Sequence, residues 1–447
     1  MALTGLEIFK RLPKQNCKEC GLPTCLAFAM KVAAGQAGLD SCPRLTPEAR
    51  EALGEASAPP QRLIKIGPDP KPIEIGQETV LFRHDEKFHH PTAVALTISD
   101  TLDEAGLRAK CAAFKELAFT RVGQTLRPDM VALLDESGSA DKMLAAAKVI
   151  YNELGVPMVL VTRNIQALSA IAVGPLAGGR PVLFYTGEGS VDELADVAKK
   201  ASAPLCVAGE LDCVAKCVEA LAAKGVKDVL ISPGAVGAAK ALAFLTQTRR
   251  AALVKKFRPL GCPVVALACG EDKTAAALDA CAYVAKYAGV VISDAWDPTL
   301  LLPILTTRQN IYTDPQKPVQ VEPKLYEIGE VSDTSPVLVT TNFSLSYYSV
   351  ESEVESARIP CRILAVDTEG TSVLTAWAAD KFNADKITAA LKSSGVEQKV
   401  KHRQLVIPGH VAVIAMSLAD ASGWKVLVGP KEASGIGPFL KKDWKVA

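Results

Sequence analysis

Short apolar runs recur along the middle of the chain from about residue 80 onward, each separated from the next by a helix-length segment. This alternation predicts repeated strand–helix units. The predicted strands are TAVALTI near residue 92, DMVALLD near 129, PMVLVT near 157, PVLFYT near 181, PLCVAG near 204, KDVLIS near 227, PVVALA near 263 and GVVISD near 289. Eight such units are the number in a closed TIM-type (β/α)8 barrel, which we place at residues 92–310.

A second alternation fills the last third of the chain. The strands PVLVTT, RILAVD, QLVIPG and KVLVGP alternate with helical segments such as TSVLTAWAADKFNADKITAALKSSG. This pattern predicts a Rossmann-like open α/β domain with parallel strands at residues 325–447. Proline-bearing segments at 59–91 and 311–324 are predicted to be linkers, the first with one small hairpin.

Polar and glycine residues gather where the strands of this last domain end. Glycines allow close backbone approach and hydroxyls supply hydrogen bonds, so this edge is predicted to bind a large flat cofactor or a nucleotide. The same residues also suit ordinary turns. The candidates are Thr340, Thr341, Asn342, Gly370, Thr371, Ser372, Val373, Ala433, Ser434 and Gly435.

Four of the twelve cysteines lie in the first 42 residues, with the spacing C-x2-C-x4-C-x16-C-P. Cys17, Cys20 and Cys25 share a tight loop, a helix is predicted after Thr24 with Gly35 as its stop, and Cys42 then closes the site. Four thiolates suit a [4Fe-4S] cluster or a structural zinc ion, and three clustered cysteines plus a remote one before proline favour the cluster. Residues 1–58 are therefore predicted to form a small iron–sulfur domain, with zinc and unliganded thiols as the alternatives.

Composition limits where this chemistry takes place. A chain of 447 residues with 49% hydrophobic residues supports two or three domains. The formal net charge of +1 and the lack of a long basic run argue against nucleic acid and anionic membranes as partners. Neither a signal peptide nor a membrane-spanning run is evident, which predicts a reducing cytoplasm, where clustered cysteines bind metals rather than form disulfides.

Other polar residues are assigned structural roles. The ends of the barrel strands carry Ser99, Asp100, Asp135, Glu136, Thr162, Arg163, Glu188, Glu210, Glu271 and Asp294. Because such residues also cap the following helices, we predict caps or a docking surface here rather than a catalytic site. His84, His89 and His90 with Asp85 lack a regular metal spacing and are predicted to pack in loops. The other eight cysteines, Cys213 and Cys217 included, are predicted to fill apolar cores.

The order of cysteine motif, barrel and last domain, with DTEGTSVLTAWAADKF and VGPKEAS, resembles the large (gamma) subunit of the corrinoid iron–sulfur protein of the acetyl-CoA decarbonylase/synthase system. The resemblance covers essentially the whole chain. It implies a corrinoid-binding last domain, with Thr340, Ser346, Gly370 to Val373 and Ser434 contacting the corrinoid or its nucleotide tail.

The resemblance also implies a function, that of a methyl carrier in the reductive acetyl-CoA (Wood-Ljungdahl) pathway. The cob(I)amide would accept a methyl group from methyltetrahydrofolate through a methyltransferase and pass it to acetyl-CoA synthase/CO dehydrogenase. The [4Fe-4S] cluster would receive electrons from a reducing donor and use them to reactivate Co(II). A small subunit would complete a heterodimer. The carrier would count as a methyltransferase component.

Cobalt is expected to have no protein ligand on its lower face, because Asp-x-His-x-x-Gly is absent from the sequence. His410 is the only histidine at the predicted cofactor edge and is assigned a loop or packing role. Two alternatives are an iron–sulfur barrel oxidoreductase with a flavin or nucleotide in the last domain, and a zinc-bearing scaffold without chemistry.

Overall fold

A computed structural model describes residues 5–33, 37, 39–46, 49, 59–316 and 318–445. The chain divides into two compact units. The first holds Met1–Leu117 and Arg127–Tyr312, and the second holds Ala118–Leu126 and Thr313–Ala447. No helix within the described ranges is both long and apolar enough to cross a membrane.

The amino-terminal segment is built on two short helices, α1 (Gly5–Arg11) and α2 (Cys25–Ala33), followed by a 3-10 turn at Leu39–Ser41. Ile8, Phe28 and Cys42 are buried between them with few other residues. Since so small a core supplies little stability, this segment needs a further stabilising element such as bound metal.

The predicted barrel is confirmed. The elements of the first unit after residue 59, in chain order, are β1 (Leu63–Ile66), β2 (Ile73–Gly76), β3 (Ala93–Ser99), α3 (Glu104–Glu116), β6 (Met130–Leu134), α4 (Ala140–Leu154), β7 (Met158–Thr162), α5 (Ile165–Val173), β8 (Val182–Tyr185), α6 (Val191–Ala201), β9 (Leu205–Ala208), α7 (Leu211–Ala223), β10 (Val229–Ser232), α8 (Ala238–Leu253), β11 (Val264–Ala268), α9 (Lys273–Ala285), β12 (Ala288–Ser293) and α10 (Pro298–Tyr312). Two further strands, β4 (Phe119–Arg121) and β5 (Gln124–Leu126), belong to the second unit. Eight parallel strands close in the order β10-β11-β12-β3-β6-β7-β8-β9, and β12 pairs with β3 through Val290 and Ala93.

The hairpin β1–β2 closes the amino-terminal end of the barrel. Ile64, Ile66 and Ile75 are fully buried in one core with the inward residues of the barrel strands. Gly67, just after β1, and Gly76, at the end of β2, lie against Pro157 and Pro263, which immediately precede β7 and β11. The small hairpin predicted within 59–91 is thus present, and it belongs to the core of the barrel.

The second unit contains an open five-stranded sheet. Its elements are β4 (Phe119–Arg121), β5 (Gln124–Leu126), β13 (Leu325–Ile328), β14 (Val337–Thr341), α11 (Ser344–Ser356), β15 (Cys361–Val366), α12 (Val373–Ala378), α13 (Ala384–Ser393), α14 (Val396–Lys399), β16 (Gln404–Ile407), α15 (Ala415–Ser422), β17 (Lys425–Val428) and α16 (Ile436–Asp443). The strands lie in the order β13-β15-β14-β16-β17. The strands β14 to β17 are parallel, as predicted, whereas β13 pairs antiparallel with β15 at the edge and was not predicted.

Helices cover both faces of this sheet. Tyr347 and Val354 of α11 and Leu440 of α16 share one core with Leu338 and Ile363. On the other face, residues of α13 and α15 pack with the opposite side of β14, β15 and β16. This doubly wound arrangement is the Rossmann-like architecture that the sequence predicts.

A second hairpin, β4–β5, is inserted between α3 and β6 and belongs to the second unit. A Cβ atom added to Gly123 at its turn would come within 2.1 Å of the Tyr348 hydroxyl on α11, and Gly123 has a φ of +67°. Both facts require glycine at this position.

Candidate functional site

The carboxyl edge of the second unit's sheet opens at one defined place. The chain passes from β14 to β15 on one side and then returns to place β16 on the other side of β14. The helices that follow β14 and β16 cover opposite faces of the sheet. Open α/β sheets bind their ligands at such a switch point, because the diverging loops leave a crevice beyond the strand ends.

A cleft of about 370 Å³ occupies this position. Most of its wall is apolar, and a few polar groups are spaced around it, as is usual for sites that hold organic cofactors. The strand ends contribute Thr340 and Pro408, and α11 contributes Ser346 and Ser349. The lining residues are Leu338, Val339, Thr340, Phe343, Leu345, Ser346, Ser349, Val350, Ser372, Val373, Leu374, Val406, Ile407, Pro408, His410, Gly429, Pro430, Lys431, Glu432, Ala433, Ile436 and Phe439.

The structure divides the residues predicted at this edge into two groups. Thr340, Ser346, Ser372, Val373 and Ala433 line the cleft. The others lie outside its lining, and these are Thr341, Asn342, Gly370, Thr371, Ser434 and Gly435. Cofactor contact stays a prediction for all eleven.

Asn342 organises the loop after β15 from inside the protein. Its buried Oδ1 accepts hydrogen bonds from the Thr368 amide at 2.9 Å and the Gly370 amide at 3.1 Å. Its Nδ2 donates to Gln320 at 3.0 Å and to Asp367 at 3.3 Å. Thr371 is also engaged, since its hydroxyl donates to the Thr368 carbonyl at 2.7 Å. These groups fix the loop that delivers Ser372 and Val373 to the cleft.

Several lining residues were not among those predicted at this edge, among them Phe343, Leu345, Ser349 and Val350. Some of them could have been predicted from helical spacing. Ser349 and Val350 follow Ser346 by three and four residues, so they share its face of α11. The remainder depends on how the loops fold back over the strand ends, which spacing alone does not encode.

Large apolar side chains are exposed at the cleft and in the segments that follow its lining residues in sequence. Leu345 and Leu374 line the cleft and are exposed. Val413 is 71% exposed and Met416 is 80% exposed, and both follow the lining residue His410 by a few positions. Exposed apolar patches of this kind are unusual on a surface that does not bind a partner or ligand. The edge therefore suits a large, flat and partly apolar group that covers it.

His410 lines the cleft and is exposed. Its Nε2 lies 4.0 Å from Glu432 Oε1, at the limit of an ion pair. The structure therefore places the only histidine of this edge beside the candidate site, where its role is open to direct test.

The cysteine segment forms a second candidate site. The helix predicted after Thr24 is α2, which begins at Cys25, and Gly35, predicted as its stop, lies outside the described residues. Cys17, Cys20 and Cys25 are partly exposed and Cys42 is buried. Across the described ranges, no three His, Cys, Asp or Glu side chains lie close enough to hold a metal ion. Coordination by the four cysteines stays a prediction based on their spacing.

The chemistry around these thiols suits an anionic metal cluster. The Asn16 amide donates to Cys25 Sγ at 3.3 Å, and Asn16 Oδ1 accepts from the Cys25 amide at 2.8 Å. Lys14, Asn16 and Lys18 have positive φ, so the loop turns tightly around the cysteines. Amide hydrogen bonds to thiolate sulfur stabilise the charged state that ligates iron.

The carboxyl rim of the barrel is a hydrogen-bonded surface of loops. Asp100 is buried and accepts from the amides of Glu136 and Ser137, both at 2.9 Å. Thr162 donates to Asp135, and Lys273 pairs with Asp294 at 2.7 Å.

The prediction that the listed rim residues cap the following helices is wrong. Glu210 alone among them stands at an N-cap in the described barrel helices, and its side chain makes no capping hydrogen bond. The side chains that cap these helices follow the strand ends by several residues, and they are Asp103, Ser139, Asn164, Ser190 and Asp272.

The histidines before β3 pack in loops. His90 Nδ1 lies 2.7 Å from the Gly76 carbonyl, His89 lies 3.1 Å from Glu86, and His84 stacks on Phe82. Each imidazole thus has its own neighbour, as the loop-packing interpretation predicts.

Comparison with known proteins identifies relatives along the whole chain. A family model described as CO dehydrogenase/acetyl-CoA synthase delta subunit matches residues 63–440, and one described as putative Fe-S cluster matches residues 12–44. The corrinoid/iron-sulfur protein large subunit of Moorella thermoacetica is 45% identical over 99% of both chains. The acetyl-CoA decarbonylase/synthase complex subunit gamma of Methanothermobacter thermautotrophicus is 33% identical over 99% of both chains.

Solved structures match half of the chain at low identity. Dihydropteroate synthase from Vibrio fischeri is 11% identical with a TM-score of 0.39, covering 50% of this chain and 95% of that one. Dihydropteroate synthase from Xanthomonas albilineans in complex with 7,8-dihydropteroate is 15% identical with a TM-score of 0.37, covering 50% and 94%.

Proposed function

Because the chain belongs to the family of corrinoid/iron–sulfur protein large subunits, the gamma subunits of the acetyl-CoA decarbonylase/synthase complex, we propose that it is a methyl carrier of the reductive acetyl-CoA pathway. The family model carries a delta-subunit description but begins at residue 63. The relatives that align over the cysteine segment as well are large or gamma subunits, so we adopt the gamma assignment.

The observation that carries the proposal is the cleft at the switch point of the second unit's sheet. A bound corrinoid supplies a cobalt centre that takes up and gives up a methyl group. The apolar wall between α11 and the strand ends would hold an apolar part of the cofactor, and Thr340, Ser346 and Ser372 would supply hydrogen bonds to its polar groups. The exposed side chains of Leu374, Val413 and Met416 would be removed from water if the cofactor covered them.

The second part of the proposal is that Cys17, Cys20, Cys25 and Cys42 hold one [4Fe-4S] cluster. Such a cluster supplies single electrons that restore the reduced corrinoid after accidental oxidation. The Asn16 amide donates to Cys25 Sγ, and the positive end of α2, which begins at that cysteine, would favour an anionic cluster bound there. Since α2 has only nine residues, we assign its dipole a minor part of the electrostatic stabilisation of the cluster.

The third part concerns partners and ligation. A small subunit completes a heterodimer, a methyltetrahydrofolate-dependent methyltransferase delivers the methyl group, and acetyl-CoA synthase/CO dehydrogenase receives it. The chain acts as a methyltransferase component and supplies no ligand to the lower face of cobalt. Without a ligand that donates electron density to cobalt, the reduced, methyl-accepting state is easier to reach.

Absorption spectroscopy and metal analysis of anaerobically purified protein test the proposal. We expect about one cobalt and four iron atoms per chain, with corrinoid and iron–sulfur absorption, as the proposed stoichiometry requires. A flavin spectrum would instead support the barrel oxidoreductase alternative. Zinc in colourless protein would support a scaffold without redox chemistry. Cobalt without iron would refute the cluster and leave the corrinoid site standing.

A further inference from the structure

The chain passes between the two units at three places. It leaves the barrel unit after Leu117, returns at Arg127 and leaves again after Tyr312. The hairpin β4–β5 lies between the first two crossings, so the second unit is tied to the barrel by this hairpin as well as by the segment after α10. The freedom of the second unit therefore depends on where the crossings lie and on how the hairpin is held.

The first two crossings lie side by side. Phe119 and Leu126 are opposite each other in the antiparallel hairpin, so the chain enters and leaves the hairpin at neighbouring positions. Leu117, at the end of α3, is buried, and its amide donates to the Phe114 carbonyl at 3.3 Å. The barrel therefore fixes the point from which the hairpin starts.

The third crossing lies close to the second. Arg308 on α10 donates from Nη2 to the Arg127 carbonyl at 3.0 Å, and it also pairs with Asp129. Tyr312, the last residue of the barrel unit, follows Arg308 by four residues of the same helix, or about 6 Å along the helix axis. All three crossings therefore converge just before β6, and connections that meet at one place form a hinge.

The second unit holds the tip of the hairpin. Val122 and Gly123 form the two-residue turn, with φ values of +51° and +67°, as a type I′ turn requires. Gly123 lies so close to the Tyr348 hydroxyl that an added Cβ atom would overlap with it. The Tyr348 ring packs edge-on against the buried Tyr347, with the ring centroids 5.1 Å apart. The side chain that the tip touches is therefore fixed in place.

The turn is also under backbone strain. Val122 is β-branched, and a positive φ is costly for such a residue. Strain of this kind persists where surrounding contacts hold the backbone in place. The contact between Gly123 and Tyr348 is such a contact, so the tip is a constrained element rather than a freely moving loop.

The hairpin contacts the helix that forms one wall of the cofactor cleft. Tyr348 belongs to α11, and the next two residues of this helix, Ser349 and Val350, line the cleft. A constraint on Tyr348 therefore acts on the part of the second unit that carries the proposed cofactor.

We propose that the hairpin β4–β5 is a clasp that confines the second unit to a swing about the three converging crossings. While Gly123 contacts Tyr348, α11 follows the hairpin, and motion is limited to rotation at residues 117–118, 126–127 and 312–313. Release of the tip allows a wider range of orientations. The role of the clasp in methyl transfer rests on the proposed function, because it presumes a corrinoid in the cleft.

Distance measurements on the full chain test the clasp. Spin labels on keto-bearing unnatural residues at Lys216 and Asp420, both exposed, report the spread of distances between the units by double electron–electron resonance. Gly123→Ala should widen this distribution by about twofold or more, since it removes the contact that limits the swing. Gly138→Ala is the matched control, because Gly138 has a φ of +66° but no atom within 4 Å of an added Cβ, and its distribution should match the parent.

Val122→Asn tests the clasp in the opposite direction. Asparagine tolerates positive φ and precedes glycine in the preferred type I′ turns, so the tip should be held more firmly and the distance distribution should narrow. Hydrogen exchange of the amides of residues 119–126 should slow by about threefold in Val122→Asn and accelerate by about tenfold in Gly123→Ala. A narrower distribution in a stabilised variant does not arise from misfolding.

Two results would overturn the clasp. One is an unchanged distance distribution in Gly123→Ala although its hairpin exchanges faster, because release of the tip would then have no effect on the motion. The other is unchanged hydrogen exchange in Gly123→Ala, because the tip would then not be held by Tyr348.

Methyl transfer separates the clasp from the proposed function. Gly123→Ala should lower the rate constant for transfer from the methyltransferase by about threefold or more, because fewer molecules present cobalt in a productive orientation. An unchanged rate constant with wider distances would refute the role of the clasp in methyl transfer. A parent protein that binds no corrinoid would refute the proposed function, whereas the distance distributions would still decide whether the clasp exists.

Discussion

At the scale of single residues, the carboxyl edge of the second unit depends on a buried hydrogen-bond network around Asn342. Asn342 was predicted to contact the cofactor, because polar residues at strand ends commonly do so. The structure shows that its side chain is buried and already bonded to Thr368, Gly370, Gln320 and Asp367. Residue type and position were predictable from the sequence, whereas the direction of the side chain depends on loops that pack only in the folded unit.

Replacing Asn342 by alanine should weaken corrinoid retention more than replacing Ser372. The change leaves the Thr368 and Gly370 amides without their acceptor, at a cost of about 1–3 kcal/mol per buried group. We expect roughly tenfold faster loss of corrinoid on gel filtration, against less than about threefold for Ser372→Ala, which removes one cleft hydroxyl. Equal losses for both variants would contradict the structural role of Asn342.

Thiol alkylation should sort the cysteines into classes. Burial raises the pKa of Cys262 to about 11 and that of Cys361 to about 12, so both thiols stay protonated at pH 8. The prediction that all eight other cysteines fill apolar cores is wrong for Cys213 and Cys269, because both residues are exposed. Burial of the Cys269 sulfur and the charge of Asp294 still raise the pKa of Cys269 to about 12. We therefore expect Cys213 to react first.

Mass spectrometry after brief iodoacetamide treatment measures this order. Cys17, Cys20, Cys25 and Cys42 should be protected in cluster-loaded protein and become reactive after the cluster is removed. Equal labelling of these four before and after iron removal would exclude them as ligands, whatever the behaviour of Cys213.

His410→Ala tests the absence of a protein ligand on cobalt. Because His410 lines the cleft, its imidazole is the histidine side chain best placed to act as a ligand to cobalt. Electron paramagnetic resonance of the Co(II) state should show no axial splitting from a protein nitrogen, and the variant spectrum should match the parent. A splitting that disappears in His410→Ala would overturn the proposal.

At the scale of elements, strand prediction succeeded where apolar runs were long and failed at short, partly exposed strands. All eight barrel strands and the four parallel strands of the second unit were predicted. The edge strand β13 has only four residues, none of them buried, so its hydrophobic pattern is weak. The hairpin β4–β5 is similarly short, and only Leu126 is buried within it.

The hairpin β1–β2 should contribute strongly to barrel stability. Ile75→Ala removes a fully buried side chain and should lower the free energy of unfolding of the first unit by about 2–5 kcal/mol. Leu278→Ala, at an exposed position on α9, should change it by less than about 0.5 kcal/mol. Differential scanning calorimetry measures both. If the hairpin only linked domains, Ile75→Ala and Leu278→Ala would both change the free energy of unfolding by the same small amount.

At the scale of the whole molecule, sequence periodicity predicted continuous domains, but the second unit is discontinuous. Residues 118–126 lie inside the barrel sequence yet group with residues 313–447. Apolar periodicity is local, so it does not report that a nine-residue insertion packs with elements almost two hundred residues later. The residue boundaries of the domains remain predictions.

The proposed carrier must present one cobalt face to two enzymes, so we predict that its corrinoid-binding part reorients during turnover. Domains joined through linkers move by default unless a large apolar interface holds them. Solution scattering with and without the methyltransferase should give different distance distributions, while the subunit stoichiometry stays constant. A single unchanged, rigid envelope in both conditions would contradict this prediction.

The inserted hairpin also determines how this protein can be cut and how it is made on the ribosome. A fragment beginning at residue 313 or 325 would lack residues 118–126. Tyr348 would then lose its packing contact with Gly123 and become exposed to solvent. During synthesis, β4 and β5 emerge well before the sheet they join, and they must wait while most of the barrel is translated. Supplying residues 118–126 at the front of a carboxyl-terminal fragment, through a short glycine-rich connection, should therefore yield more folded protein than truncation alone.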